Sequence, residues 1–175
     1  FDNNEFINVI YKAVYKLDIS DVDEIIQQFY IDNITKFENL IIFNCKKCQL
    51  ITDEIIGKLT NLIKLNCKKY TSVTNKSISN LQKLINLKCG NCWKITDKCI
   101  SKLQNLVKLS CSNCKKITDK SISKLQNLTK LNCSNCSCIR DISKLTNLTD
   151  LDCSYSTHIT ELLTLKYKIM EEKLK

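Results

Sequence analysis

NLVKLSCSNCKKITDKSISKLQ, residues Asn105 to Gln126, is one of six stretches that align on one another. The others start at Asn39, Asn61, Lys83, Asn127 and Asn147, so the period is 22 residues four times and then 20. Taking the first leucine as position 1, apolar residues recur at positions 1, 4, 6, 9 and 12. In the quoted unit these are Leu106, Leu109, Cys111, Cys114 and Ile117. Alternation at positions 4 and 6 is the period of a β-strand. Thr118-Asp119 has the chemistry of a helix N-cap, and Ile122 and Leu125 follow at helical or 3₁₀ spacing. Each unit therefore predicts a short strand, a turn and one or two helical turns. One unit cannot bury its apolar edge alone; a stack can, with its strands in a parallel sheet.

This pattern resembles the leucine-rich repeat family, whose skeleton is L-x-x-L-x-L-x-x-N/C-x-L. More narrowly it resembles the cysteine-containing subtype found in many F-box proteins. Cys48, Cys92, Cys114 and Cys136 match the turn cysteine. Ile51-Thr52-Asp53, Ile95-Thr96-Asp97 and Ile117-Thr118-Asp119 match the entry to the convex side. The resemblance implies an α/β solenoid with a curved parallel sheet on the concave side and short helices or 3₁₀ turns on the convex side. The chain departs from the subtype in two ways: its units are roughly four residues shorter, and position 6, normally Leu, is Cys in all six. Lysine, isoleucine and asparagine abound, while Arg140 is the single arginine and Ala13 the single alanine. That is the coding habit of an A+T-rich genome, and the chain looks like the leucine-rich repeat proteins of giant DNA viruses of amoebae or A+T-rich protists. In F-box relatives such a solenoid is the substrate-recognition arm of a ubiquitin ligase. The F-box typically carries a Leu-Pro pair, and this chain contains no proline.

The expected organisation has three parts. Residues 1–38 form an N-terminal capping segment with one degenerate repeat. Val14, Leu17 and Ile19 copy positions 1, 4 and 6, and a short helix from Glu5 to Ala13 covers the open end of the sheet. Residues 39–166 are the six repeats. Residues 167–175 end a C-terminal capping helix that runs from Leu162 to Leu174. Caps are needed because the end strands of a solenoid are open edges. The chain opens at Phe1, so a fragment or a processed product is the expectation.

Twelve cysteines include four Cys-x-x-Cys pairs: Cys45/Cys48, Cys89/Cys92, Cys111/Cys114 and Cys133/Cys136. Two such pairs 18 residues apart normally signal zinc. Three observations favour core thiols instead. Each Cys falls where the repeat places an inward residue. Tyr70 and Ser156 replace the second Cys in units that keep the rest of the pattern. Buried thiols are also common small core residues, and a turn thiol can donate weakly to a carbonyl. Structural zinc and disulfides stay open as alternatives. No metal or other cofactor is implied, and the expected compartment is reducing, hence cytoplasmic.

Chemistry is constrained more sharply. With two glycines there is no glycine-rich phosphate loop, and with His158 alone there is no paired-histidine metal site. No nucleophile–base pair or carboxylate pair converges, so the chain reads as non-enzymatic. The 27 lysine and arginine residues against 18 carboxylates give a formal net charge of +9.

Positions 2, 3 and 5 point out of the concave face. Position 3 carries Ile42, Lys64, Asn86, Lys108, Lys130 and Asp150; position 5 includes Lys88 and ends in Asp152. With Trp93 in an adjoining turn, these form the candidate partner-binding set. The expected partner is another protein with an acidic surface, bound by a monomer, with no membrane involved. Nucleic acid is the alternative through the lysine ladder. Against it stand the single arginine and the absence of an aromatic platform.

Overall fold

The computed structural model describes residues 3–69 and 72–159. Seven three-residue strands form one parallel sheet in strict chain order: β1 Lys16–Asp18, β2 Ile42–Asn44, β3 Lys64–Asn66, β4 Asn86–Lys88, β5 Lys108–Ser110, β6 Lys130–Asn132 and β7 Asp150–Asp152. Register is exact between units, so Leu17, Phe43, Leu65, Leu87, Leu109, Leu131 and Leu151 stand side by side. The helices are α1 Asn3–Ala13, α2 Glu24–Asp32, α3 Asp53–Lys58, α4 Asn75–Ile78, α5 Asp97–Ile100 and α6 Asp119–Ile122. A 3₁₀ turn at Ile34–Lys36 follows α2. The last complete unit, two residues shorter, has no helix after Ile139.

The core is one continuous column. In the quoted unit, Leu106, Leu109, Cys111, Cys114 and Ile117 are all buried, as are their equivalents in most other units. Such burial of a Leu or Ile is worth about 1.5–3 kcal/mol each, which a unit obtains only from its neighbours.

Strands β2 to β7 each end in a turn whose left-handed position is filled by a residue other than glycine. At position 8, Lys47, Lys69, Asn91, Asn113, Asn135 and Tyr155 all have φ between 55° and 64°. The backbone N–H of position 9 closes the turn on the carbonyl of position 6, as from Cys114 to Cys111 at 3.0 Å. The N–H of position 8 donates to the next unit, as from Asn113 to the Ser134 carbonyl at 3.0 Å. Gly90 meets a different demand: a Cβ there would lie 2.5 Å from the Ser112 Oγ of the adjacent coil.

On the convex side, Thr74, Thr96 and Thr118 cap their helices by accepting from the N–H two residues on. The following residue reaches across to the next coil. Asp53 accepts from the N–H and Oγ1 of Thr74 and from Ser77 Oγ. Asp97 does the same with Thr118 and Ser121. Asn75 occupies this place in its unit, accepting from the Thr96 N–H and donating to Thr96 Oγ1.

The N-terminal part is built on Phe37. Tyr11 of α1 packs edge-on against its ring at 4.9 Å, and Tyr30 of α2 lies 6.3 Å from it. The helix expected at Leu162–Leu174 lies outside the described residues.

Candidate binding face

The strands place side chains 3 and 5 of each unit on one surface. The first row reads Lys16, Ile42, Lys64, Asn86, Lys108, Lys130 and Asp150; the second reads Asp18, Asn44, Asn66, Lys88, Ser110, Asn132 and Asp152. All of these residues are exposed or half-buried. Eight of the nine sequence-predicted residues therefore share this face. Trp93 does not: it is 72% exposed in the turn beyond β4, at the margin of the sheet. Position 2 lies along the flank, where Ile85 is 40% exposed and Val107 and Thr129 are half-buried.

Charge on the face is partitioned. At its C-terminal end Lys130 Nζ pairs with Asp150 at 2.8 Å, and Asn132 donates to Asp152 at 2.6 Å. At its N-terminal end Asn44 donates to Asp18 at 2.8 Å. Burial alone would raise the Asp18 carboxyl. Hydrogen bonds from Ser20 and Asn44, with Lys16 nearby, instead hold it below the usual carboxylate value. Between these ends, Lys64, Lys88 and Lys108 have no ion-pair partner among the described residues. Lys88, Lys108 and Lys130 line a shallow hollow of about 380 Å³ with Asn86, Ser110 and Asp152. The Ser110 hydroxyl at its floor is buried and makes no hydrogen bond within the described residues. The arrangement offers cationic donors in a shallow trough, with carboxylates only at its two ends.

Lys16 and Asp18 belong to this face, and sequence reasoning left them out. The signal is present: Leu17 and Ile19 occupy positions 4 and 6, and Lys16 and Asp18 alternate with them.

The cysteines lie behind the sheet. No two of the twelve are joined by a disulfide, and no group of three potential metal ligands occurs among the described residues. Position-9 thiols donate to the position-6 carbonyl of the preceding coil: Cys92 to Cys67 at 3.0 Å, Cys114 to Cys89 at 3.2 Å and Cys136 to Cys111 at 3.1 Å. Ser156 continues the series, donating to Cys133 at 2.9 Å. Burial pushes the Cys133 thiol up to about 12 and Cys99 to about 11. Metal ligation and nucleophilic attack both need a thiolate; Cys99 and Cys133 favour the protonated form, whereas the hydrogen bond to Cys111 brings the Cys136 thiol down to about 7. His158 is exposed in the last turn.

No family model and no curated protein matches the chain. Its fold is similar to that of solved structures. Internalin InlF of Listeria monocytogenes matches with a TM-score of 0.59 at 20% identity, over 85% of this chain and 44% of that one. The functional domain of Listeria monocytogenes InlJ, described as including a cysteine ladder, matches with a TM-score of 0.57 at 19% identity, over 85% of this chain and 31% of that one. TLR13, solved in complex with a single-stranded RNA, matches with a TM-score of 0.53 at 24% identity, over 69% of this chain and 19% of that one. The chain thus spans less than half the length of these three. A repeated strand, turn and convex segment stacked in a parallel sheet, together with these likenesses, define the fold as a leucine-rich repeat solenoid.

Proposed function

We propose that this solenoid is a non-enzymatic scaffold whose concave face binds another protein with an acidic surface. The observation that carries the reading is the group Lys64, Lys88 and Lys108, without ion-pair partners among the described residues and flanked at both ends by carboxylates. Such a pattern attracts an acidic surface to the middle of the trough and fixes its lateral position, since misplacement sets like charges together. Trp93, large and exposed at the margin, serves as a lateral anchor. The protein acts as a monomer in a reducing compartment such as the cytoplasm, consistent with twelve unlinked cysteines. No helix among the described residues is long and apolar enough to cross a membrane. A finer assignment, the substrate-recognition arm of a ubiquitin ligase, rests on the Ile-Thr-Asp and turn-cysteine resemblance alone.

The test is the combined variant Lys64→Glu/Lys88→Glu/Lys108→Glu in quantitative affinity capture. Loss of a partner retained by the unaltered chain, with an unchanged circular dichroism spectrum, is the expected result. Unchanged capture refutes the reading. A second reading, binding of single-stranded RNA along the same lysines, is favoured by the TLR13 likeness. It requires affinity for an RNA oligonucleotide to fall with salt at a log–log slope of about −0.7 per phosphate contacted.

A further inference from the structure

The N-terminal end of the solenoid carries a surface of the opposite character. α1 and α2 both rest on Phe37, through Tyr11 and Tyr30. The inner side of α2 is anchored at Gln27, whose Nε2 donates to the carbonyls of Ile19 and Val22 and whose Oε1 accepts from the Cys48 thiol. That leaves the other side of α2 facing solvent with Ile25 at 84%, Ile26 at 42% and Phe29 at 55% exposure. Ile25 and Phe29 are four residues apart and so occupy one helix face. On α1, Ile7, Val9 and Ile10 are exposed as well. An isolated exposed isoleucine needs no explanation; a group on two helices that pack against the same Phe37 ring marks an interaction site. Carboxylates flank α2 in the sequence. Asp21, Asp23, Glu24 and Asp32 lie between Ile19 and Thr35, a stretch without lysine or arginine in a chain of net charge +9.

We propose that the outward faces of α1 and α2 form a second docking site, one that takes a basic amphipathic helix of a partner protein. Leucine-like side chains of such a helix meet Ile25 and Phe29, while its lysines meet the carboxylates around them. Charge argues against the other occupants. Two copies meeting through α2 set this acidic stretch against itself, and an anionic lipid or nucleic acid surface is repelled. The site is independent of the concave face, with the reverse charge and a separate position in the fold.

The probe is a fluorescein-labelled peptide of roughly 14 residues, leucines on one helical face and lysines on the other, titrated into the full chain. The control has the same composition in scrambled order. Patterned peptide binding about tenfold tighter than scrambled is the expected result. Ile25→Ser/Phe29→Ser, both on exposed positions, is expected to weaken it about tenfold with an unchanged melting curve. Lys64→Gln/Lys88→Gln/Lys108→Gln leaves it unaltered, so failure of the concave reading registers separately. Equal binding of both peptides, or indifference to the Ile25/Phe29 change, overturns the proposal. So does sedimentation showing self-association of the unaltered chain that Ile25→Ser/Phe29→Ser abolishes, since the occupant is then a second copy.

Discussion

Lys47, with φ 64°, occupies the same left-handed turn as Asn91 and Asn113. A left-handed conformation costs an ordinary L-residue about 1–2 kcal/mol, and asparagine tolerates it better through local hydrogen bonding. Lys47→Asn is therefore expected to stabilise by about 0.5–1 kcal/mol, and Asn113→Val to destabilise by about 1–2 kcal/mol, because a β-branched residue fits this region worst. Urea unfolding measures both. The turn thiols give a second comparison. Cys114→Ala leaves a small void and removes the donor to the Cys89 carbonyl, at an expected cost of about 1–3 kcal/mol. Cys114→Ser is expected to cost less, because Ser156 makes the equivalent bond in the last unit. Equal losses would show that the hydrogen bond contributes nothing.

At the scale of the element, the convex helices are too short to persist alone and are held by the rungs between coils. Asp53 forms one rung. Burial raises its carboxyl, but the hydrogen bonds from Ser77 and Thr74 outweigh that and leave it below the usual value. A carboxyl depressed in the folded state adds stability that is complete above its unfolded value of about 3.9 and is lost as pH falls through the folded value. Asp53→Asn is therefore expected to flatten the acid limb of a plot of melting temperature against pH, with Asn75 as the natural example of an uncharged rung. The thiols act in the opposite direction. Cys99 and Cys133 are raised by burial to about 11 and about 12. Their contribution is present below the unfolded thiol value of about 8.5 and lost as pH rises above it. Melting temperature should fall between pH 9 and the folded values, and Cys99→Ala should make that fall shallower. The inward leucines and cysteines could be read from sequence because burial imposes their composition at a fixed period. The rungs could not. Thr-Asp at a helix start looks complete as a local cap, and nothing in one unit shows that Asp53 is bonded to Thr74 and Ser77 in the next.

For the whole molecule, the repeat phase alone carried the sheet, its register and the rows of the concave face. It carried no account of α2, which is longer than any convex helix of the regular units. Trp93 lies in the turn beyond β4, where the repeat phase places it. The lysine-rich composition blurred the concave face further, because coding habit and selection both supply lysine. Geometry distinguishes them better than counting: Lys130 is paired with Asp150, whereas Lys64, Lys88 and Lys108 have no ion-pair partner among the described residues. The bonds that join coils also have a consequence for growth. The position-8 N–H, the position-9 thiol and the Asp97-type carboxylate each reach an adjacent coil. Excising Asn105–Gln126 therefore rejoins surfaces that already match, and the shortened chain should still melt cooperatively, whereas removing one residue fewer should not be tolerated. The trough is in this sense a ruler graduated in steps of about 4.8 Å, and gene duplication can lengthen its reach without redesigning a single contact.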